Sequence, residues 1–69
     1  MNIIIKSKIK EVRQSRNISV RKLSAMTGIS KTYLSDIENN KKIPTIYILC
    51  SIAVALNVKP EDLYTYEVM

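Results

Sequence analysis

Gly28 is the only glycine in a chain of 69 residues, and its position decides how the middle of the chain folds. Ser19 and Ser30 each stand just before a helical pattern, where a hydroxyl can accept from amide hydrogens that the first helical turn leaves unpaired. Two short helices therefore flank Thr27-Gly28-Ile29. A chain that must end one helix and begin the next at a steep angle needs a left-handed residue between them, and glycine suits that position. Leu23, Ile29, Leu34 and Ile37 are placed to meet behind the turn as a small shared core, because residues three or four apart lie on one helix face. The opposite face of the second helix carries Thr32, Ser35, Asp36 and Asn39. These are short groups with donors and acceptors pointing outward, where a merely soluble helix would prefer Glu and Lys.

The stretch Ser19 to Asn40, SVRKLSAMTGISKTYLSDIENN, thus reads as a helix-turn-helix, and from Ile9 to Tyr64 the chain resembles the phage-repressor-like (Cro/XRE type) family. The resemblance rests on the preceding helix KIKEVRQSR, on Ile37 to Asn39 (IEN) and Pro44, on Ala53, Leu56 and Val58, and on the closing Glu61 to Tyr64 (EDLY). Three positions depart from the family pattern: Val20 replaces a Gln that touches a phosphate, Ser24 replaces an Ala, and Asn40 replaces a Gly. The resemblance implies an all-α, five-helix lambda-repressor-like domain over residues 1–69, with its motif at 19–40 and a dimerisation region at about 45–69. It also implies a sequence-specific transcriptional regulator of double-stranded DNA. Repression is the commoner role for stand-alone members.

By the same resemblance, the base-reading positions correspond to Lys31, Thr32, Tyr33 and Asp36, with Ser35 nearby. Each has a chemical partner: Lys31 can donate to guanine O6 and N7, Thr32 can bond a base edge or pack on a thymine methyl, and Asp36 can accept from cytosine N4. Tyr33 has two readings, contact with a thymine methyl or phosphate and burial against a neighbouring helix. Ser19, Arg21 and Ser30 lie at helix N-termini, where free amides and basic side chains favour an anion. Together with Asn39, Lys41 and Lys42 of the following loop, they are the expected phosphate contacts. Arg13 and Glu38 lie at the margins of two apolar stripes, and the family pairs an Arg and a Glu at these positions. An ion pair bracing the recognition helix (residues 30–39) against the first helix is expected.

The charge distribution points the same way. Met1 to Lys42 holds ten basic and three acidic residues, whereas the remainder holds one and three, so one part of the surface is suited to a polyanion. Individual lysines such as Lys8, Lys10 and Lys22 serve equally well to solvate helix faces.

From Thr45 to Asn57 no residue is charged. Ile46, Leu49, Cys50, Ala53 and Leu56 are expected to face the core, which leaves Tyr47, Ile48, Val54 and Ala55 on the outer side. A helix apolar all round is buried all round, and a domain this small gains from an added subunit. A homodimer through Tyr47, Ile48, Val54 and Ala55 is the expectation. The rival reading is an antitoxin-like or anti-repressor module that uses the same face for another protein. Lys59-Pro60-Glu61-Asp62 opens a last short helix, with Pro first and acids in its first turn.

The first helix is expected from Ser7 to about Arg16, with Ile5, Ile9 and Val12 along one side and Asn17 as a left-handed cap. At the extremes, Asn2 to Ile5 and Tyr64 to Met69 are rich in β-formers. Either they pair as a small two-stranded β-ribbon, as the ends of some short family members do, or they fray. One cysteine, Cys50, and no histidine leave no metal site and no Cys-His catalytic pair. No enzyme, cofactor or small-molecule ligand is expected. There is no apolar run of about 20 residues for a membrane span, and the cytoplasm is the expected location.

Overall fold

A computed structural model describes residues 1–69. In chain order it contains β1 (Ile3–Ser7), α1 (Ile9–Ser15), α2 (Val20–Thr27), α3 (Lys31–Glu38), α4 (Ile46–Leu56), a single 3-10 turn (Pro60–Leu63) and β2 (Tyr64–Val68). The expected fifth helix is only that 3-10 turn. Asp62 caps it by accepting from the Lys59 amide at 3.1 Å, and at Tyr64 the backbone is extended because the β-rich tail pairs with β1.

Pairing is antiparallel and complete over both strands, with Ile3 opposite Val68, Ile5 opposite Tyr66 and Ser7 opposite Tyr64. Ile5 therefore belongs to the ribbon and not to α1 as the sequence suggested. The helix begins only at Ile9, whose amide donates to Ser7 Oγ at 3.1 Å.

Every helix ends on a residue of positive φ. Gly28 (φ 76°) closes α2, and Asn17, Asn40 and Asn57 (φ 57–60°) close the other three. At each asparagine its own amide and the next fold back onto the helix: Asn40 N–H reaches Ile37 O and Lys41 N–H reaches Asp36 O, with the same pattern at Asn17 and Asn57. Asparagine tolerates this left-handed conformation better than other residues bearing a Cβ. At the starts, Ser19, Ser30 and Thr45 oxygens accept from Lys22, Tyr33 and Ile48 amides at 3.0–3.2 Å.

Nine residues form the buried core: Ile9, Leu23, Ile29, Leu34, Ile37, Ile52, Ala53, Leu56 and Leu63. Two corrections concern α4. Ile46, expected inside, is 80% exposed, while Ile52 is fully buried. The buried stripe is rotated by part of a turn relative to the expectation, because Leu56 and Ala53 are joined in the core by Ile52. Ile48 and Ala55, expected on the outer side, pack partly against the core.

Arg13 and Glu38 join α1 to α3. Arg13 Nε donates to Glu38 Oε2 at 2.8 Å and Nη2 to Oε1 at 3.0 Å, while Nη1 donates to the Ile18 carbonyl at 2.9 Å. Both side chains are largely buried, at 11% and 7% exposure. The hydrogen bonds to Glu38, aided by its charge and opposed by desolvation, raise the Arg13 pKa above its ordinary value, so the guanidinium stays charged. Removing one member leaves the other charge buried and uncompensated, which costs about 3 to 5 kcal/mol, whereas apolar replacement of both is far milder.

In urea unfolding, Arg13→Met and Glu38→Leu are therefore each expected to lose about 3 kcal/mol, with the double variant losing much less than their sum. Additive losses would show that the two side chains do not act as a pair. Gly28→Ala isolates the backbone, because an added Cβ would meet no atom within 4 Å. Its loss, measured in the same way, is expected to be about 1 to 2 kcal/mol, the left-handed penalty alone.

Candidate nucleic-acid interface

With Leu34 and Ile37 buried, α3 turns a fixed row outward. Lys31, Thr32, Ser35 and Asn39 are exposed, whereas Tyr33 and Asp36 are half-buried on either side of the row. Lys31 and Thr32 occupy the first turn of a helix whose cap, Ser30, is itself exposed.

Tyr33 packs against the core, which is the burial reading of that residue. The Lys42 ammonium lies 5.4 Å from the centre of its ring and 3.7 Å from Asp36 Oδ2. Lys42 thus ties the loop after α3 back across the helix. This arrangement was not read from the sequence; the lysine lies six and nine positions away, and only the reversal of the chain at Asn40 brings it near. Asn39 is partly committed as well, since its Nδ2 donates to the Ser35 carbonyl at 2.9 Å and to Ser35 Oγ at 3.3 Å.

The expected phosphate contacts lie at three places. Ser19 and Ser30 accept amide protons through Oγ, which leaves each hydroxyl proton to donate outward. Arg21 and Lys22 are exposed in the first turn of α2, where there is no acidic residue. Lys41 is exposed in the loop after α3. No carboxylate lies within ion-pairing distance of Arg21, Lys22, Lys31 or Lys41; the ion pairs are Lys6–Glu67, Arg13–Glu38 and Lys42–Asp36. Val20, at the departure from the family's Gln, is half-buried against the core and anchors α2 instead of reaching outward.

Asn40 adds a link not foreseen from the sequence. Its Oδ1 accepts from the Ser7 amide at 2.7 Å, so the residue that ends the recognition helix also holds the end of β1. Of the outward residues of α4, Tyr47 and Val54 are 80% and 81% exposed. No group of His, Cys, Asp or Glu side chains is placed to hold a metal ion, and no helix is long and apolar enough to cross a membrane.

Comparison with known proteins places this geometry. The helix-turn-helix family model matches residues 9–63, from the first helix through the 3-10 turn. The HTH-type transcriptional regulator SutR of Escherichia coli is 44% identical over 50 residues, which cover 72% of this chain but only 28% of the regulator. Among solved structures, a putative DNA-binding protein from Bacteroides fragilis superposes with a TM-score of 0.84 at 29% identity, covering 90% of this chain and all of the other. The biofilm master regulator SinR, solved in complex with DNA, superposes at 0.74 with 33% identity, covering 78% of this chain and 87% of that one. With 55 consecutive residues matched by the model, the chain belongs to the phage-repressor-like helix-turn-helix family.

Proposed function

We propose that this chain is a sequence-specific DNA-binding transcriptional regulator, most simply a repressor, acting in the cytoplasm as a homodimer on a near-palindromic operator. The observation that carries the proposal is the outer surface of α3 and its flanks. Short hydrogen-bonding side chains stand in the centre, and cations without carboxylate partners stand around them. A solvated helix has no need of that division, whereas a duplex requires base-edge readers in the groove and cations at the backbone on either side.

In this reading Lys31, Thr32 and Ser35 read base edges, and Asp36 reads through its remaining acceptor while it positions Lys42. Tyr33 supports the helix from behind and reaches the duplex only with its ring edge. Ser19, Ser30, Arg21, Asn39, Lys41 and Lys42 contact phosphates. Arg13 and Glu38 fix the angle of α3 against the body, so a rotation of the reading row would require breaking a buried ion pair. Two copies related by a two-fold axis present two such rows to successive major grooves about 34 Å apart. SinR, whose structure holds DNA, supports the choice of partner.

Selection from a random duplex library at physiological salt tests the proposal. A pseudo-palindrome with half-sites one turn apart is the expected product, and salt-sensitive binding without enrichment would overturn it. On the selected operator, Lys31→Ala and Thr32→Ala are each expected to relax preference at one position by about 1 to 3 kcal/mol. Lys41→Ala is expected to weaken all sequences alike and to lower the slope of log affinity against log salt by about 1.

A further inference from the structure

The core of this chain is thin and its surface is apolar. Nine residues are buried, while thirteen large hydrophobic side chains are exposed, and these are unevenly distributed. Residues directly opposite in an antiparallel pair share a face, so the register puts Ile3, Ile5, Tyr64, Tyr66 and Val68 together on one side of the ribbon. The other side carries Ile4, Lys6, Thr65 and Glu67, with Lys6 and Glu67 paired at 3.5 Å, and is suited to water. The apolar side turns toward the helices, because Ile5 and Tyr64 line a groove of about 320 Å³ together with Ile9, Ile46, Leu49 and Leu63. Ile43 and Ile46, on the far wall, are 70% and 80% exposed.

We infer that this apolar ribbon face and the groove beside it form the self-association surface of the chain, each copy laying Tyr66 and Val68 into the groove of the other. The inference rests on the homodimer proposed above and assigns its contact. Three observations favour a second copy as the occupant. A two-fold interface must contain both halves of its own fit, and this patch holds a projecting element, with Tyr66 and Val68 64% and 61% exposed, next to a receiving groove large enough for an aromatic side chain. Its area is also sufficient. A standard interface takes about 800 Å² from each partner, and Ile3, Ile5, Ile43, Ile46 and the three ribbon residues Tyr64, Tyr66 and Val68, each more than a third exposed, present area of that order.

The third observation is charge. The apolar side of the ribbon carries no ionisable group besides its tyrosines, and the groove has Lys42 as its only cation. That cation is already engaged by Asp36 and Tyr33, so two copies can meet without like charges in contact. The outer stripe of α4, by comparison, offers chiefly Tyr47 and Val54, since Ile48 and Ala55 are already packed partly against the core. The groove is also walled by Asn40 and Lys42, so a partner seated there touches the loop that follows the recognition helix.

The test uses the full chain. Sedimentation equilibrium is expected to give a dimer, weakened at least about 100-fold by Tyr66→Glu or Ile46→Glu and little changed by Tyr47→Glu with Val54→Glu. Circular dichroism checks that each variant is folded. Isotope-filtered NMR on mixed labelled and unlabelled wild-type protein needs no substitution. Cross-peaks between the Tyr66 ring or Val68 methyls of one copy and the Ile46 or Leu49 methyls of the other are the expected result. A dimer whose cross-peaks join Tyr47 to Val54 overturns the inference and leaves the homodimer standing. A wild-type chain that stays monomeric at NMR concentrations overturns this contact, and if it also selects only single half-sites from the DNA library, the homodimer falls with it.

Discussion

The orientation of α3 depends on one guanidinium. Arg13 spends Nε and Nη2 on Glu38 and Nη1 on the Ile18 carbonyl, so a single planar group connects α1, the turn that leads into α2, and α3. The fork geometry matters here. A lysine could neutralise Glu38 but could not make two parallel bonds to a carboxylate and a third to a carbonyl. An apolar contact between these helices would permit sliding by a rotamer, because methyl groups pack in many registers. A bidentate pair that is nearly dry has one geometry, and departing from it leaves two largely buried charges without each other. What this gives the domain is a fixed angle more than stability, since desolvation offsets much of the Coulomb gain.

The helix ends serve the same purpose by local means. In so short a chain, each of the four α-helices has to stop and reverse within a few residues, and three of the four do so on asparagine. Asparagine pays some strain at positive φ that glycine would not, but it brings a side-chain amide. At Asn40 that amide reaches the Ser7 N–H. Glycine at this position, the family's usual residue, would close α3 equally well and leave the ribbon untied. The departure from the family pattern therefore coincides with the added β-ribbon, and the two features make sense together: the chain that pairs its ends also carries the side chain that fastens them to the recognition helix.

Features that depend on neighbouring residues were legible in the sequence. The caps at Ser19 and Ser30, the left-handed positions at Gly28 and Asn17, and the four-residue core behind the turn follow from local backbone chemistry and helical spacing. What depends on packing was less so. The run from Ile46 to Leu56 is apolar at nearly every position, so its pattern carries no phase; that Ile52 and not Ile46 is buried is set by the rotation the neighbouring helices impose. The last helix failed for a related reason. Pro60, Glu61 and Asp62 are good starting residues, but a start needs residues to continue it, and the strand formers after Leu63 were drawn to β1. Within the candidate interface, the residues of α3 could be named from spacing and resemblance, whereas the hold of Lys42 on Asp36 and Tyr33 depends on the path of a loop.

That hold bears on how the proposed DNA interface would discriminate. Asp36 beside DNA is a negative charge near a polyanion, which is unfavourable unless it meets a donor such as cytosine N4 or a cation. Lys42, 3.7 Å away, supplies the cation from the protein itself and leaves the lysine exposed enough to turn to a phosphate. Engagement of Lys42 by the DNA backbone would release Asp36 to seek a base donor, and a register without that donor would leave the carboxylate facing acceptors. In the proposed complex, affinity and sequence preference would thereby be linked through one side chain. The backbone cations that have no such partner, Arg21, Lys22 and Lys41, would attract any duplex in that complex, and Asp36 would penalise the wrong one. A row of lysines alone would bind DNA more tightly and distinguish it less.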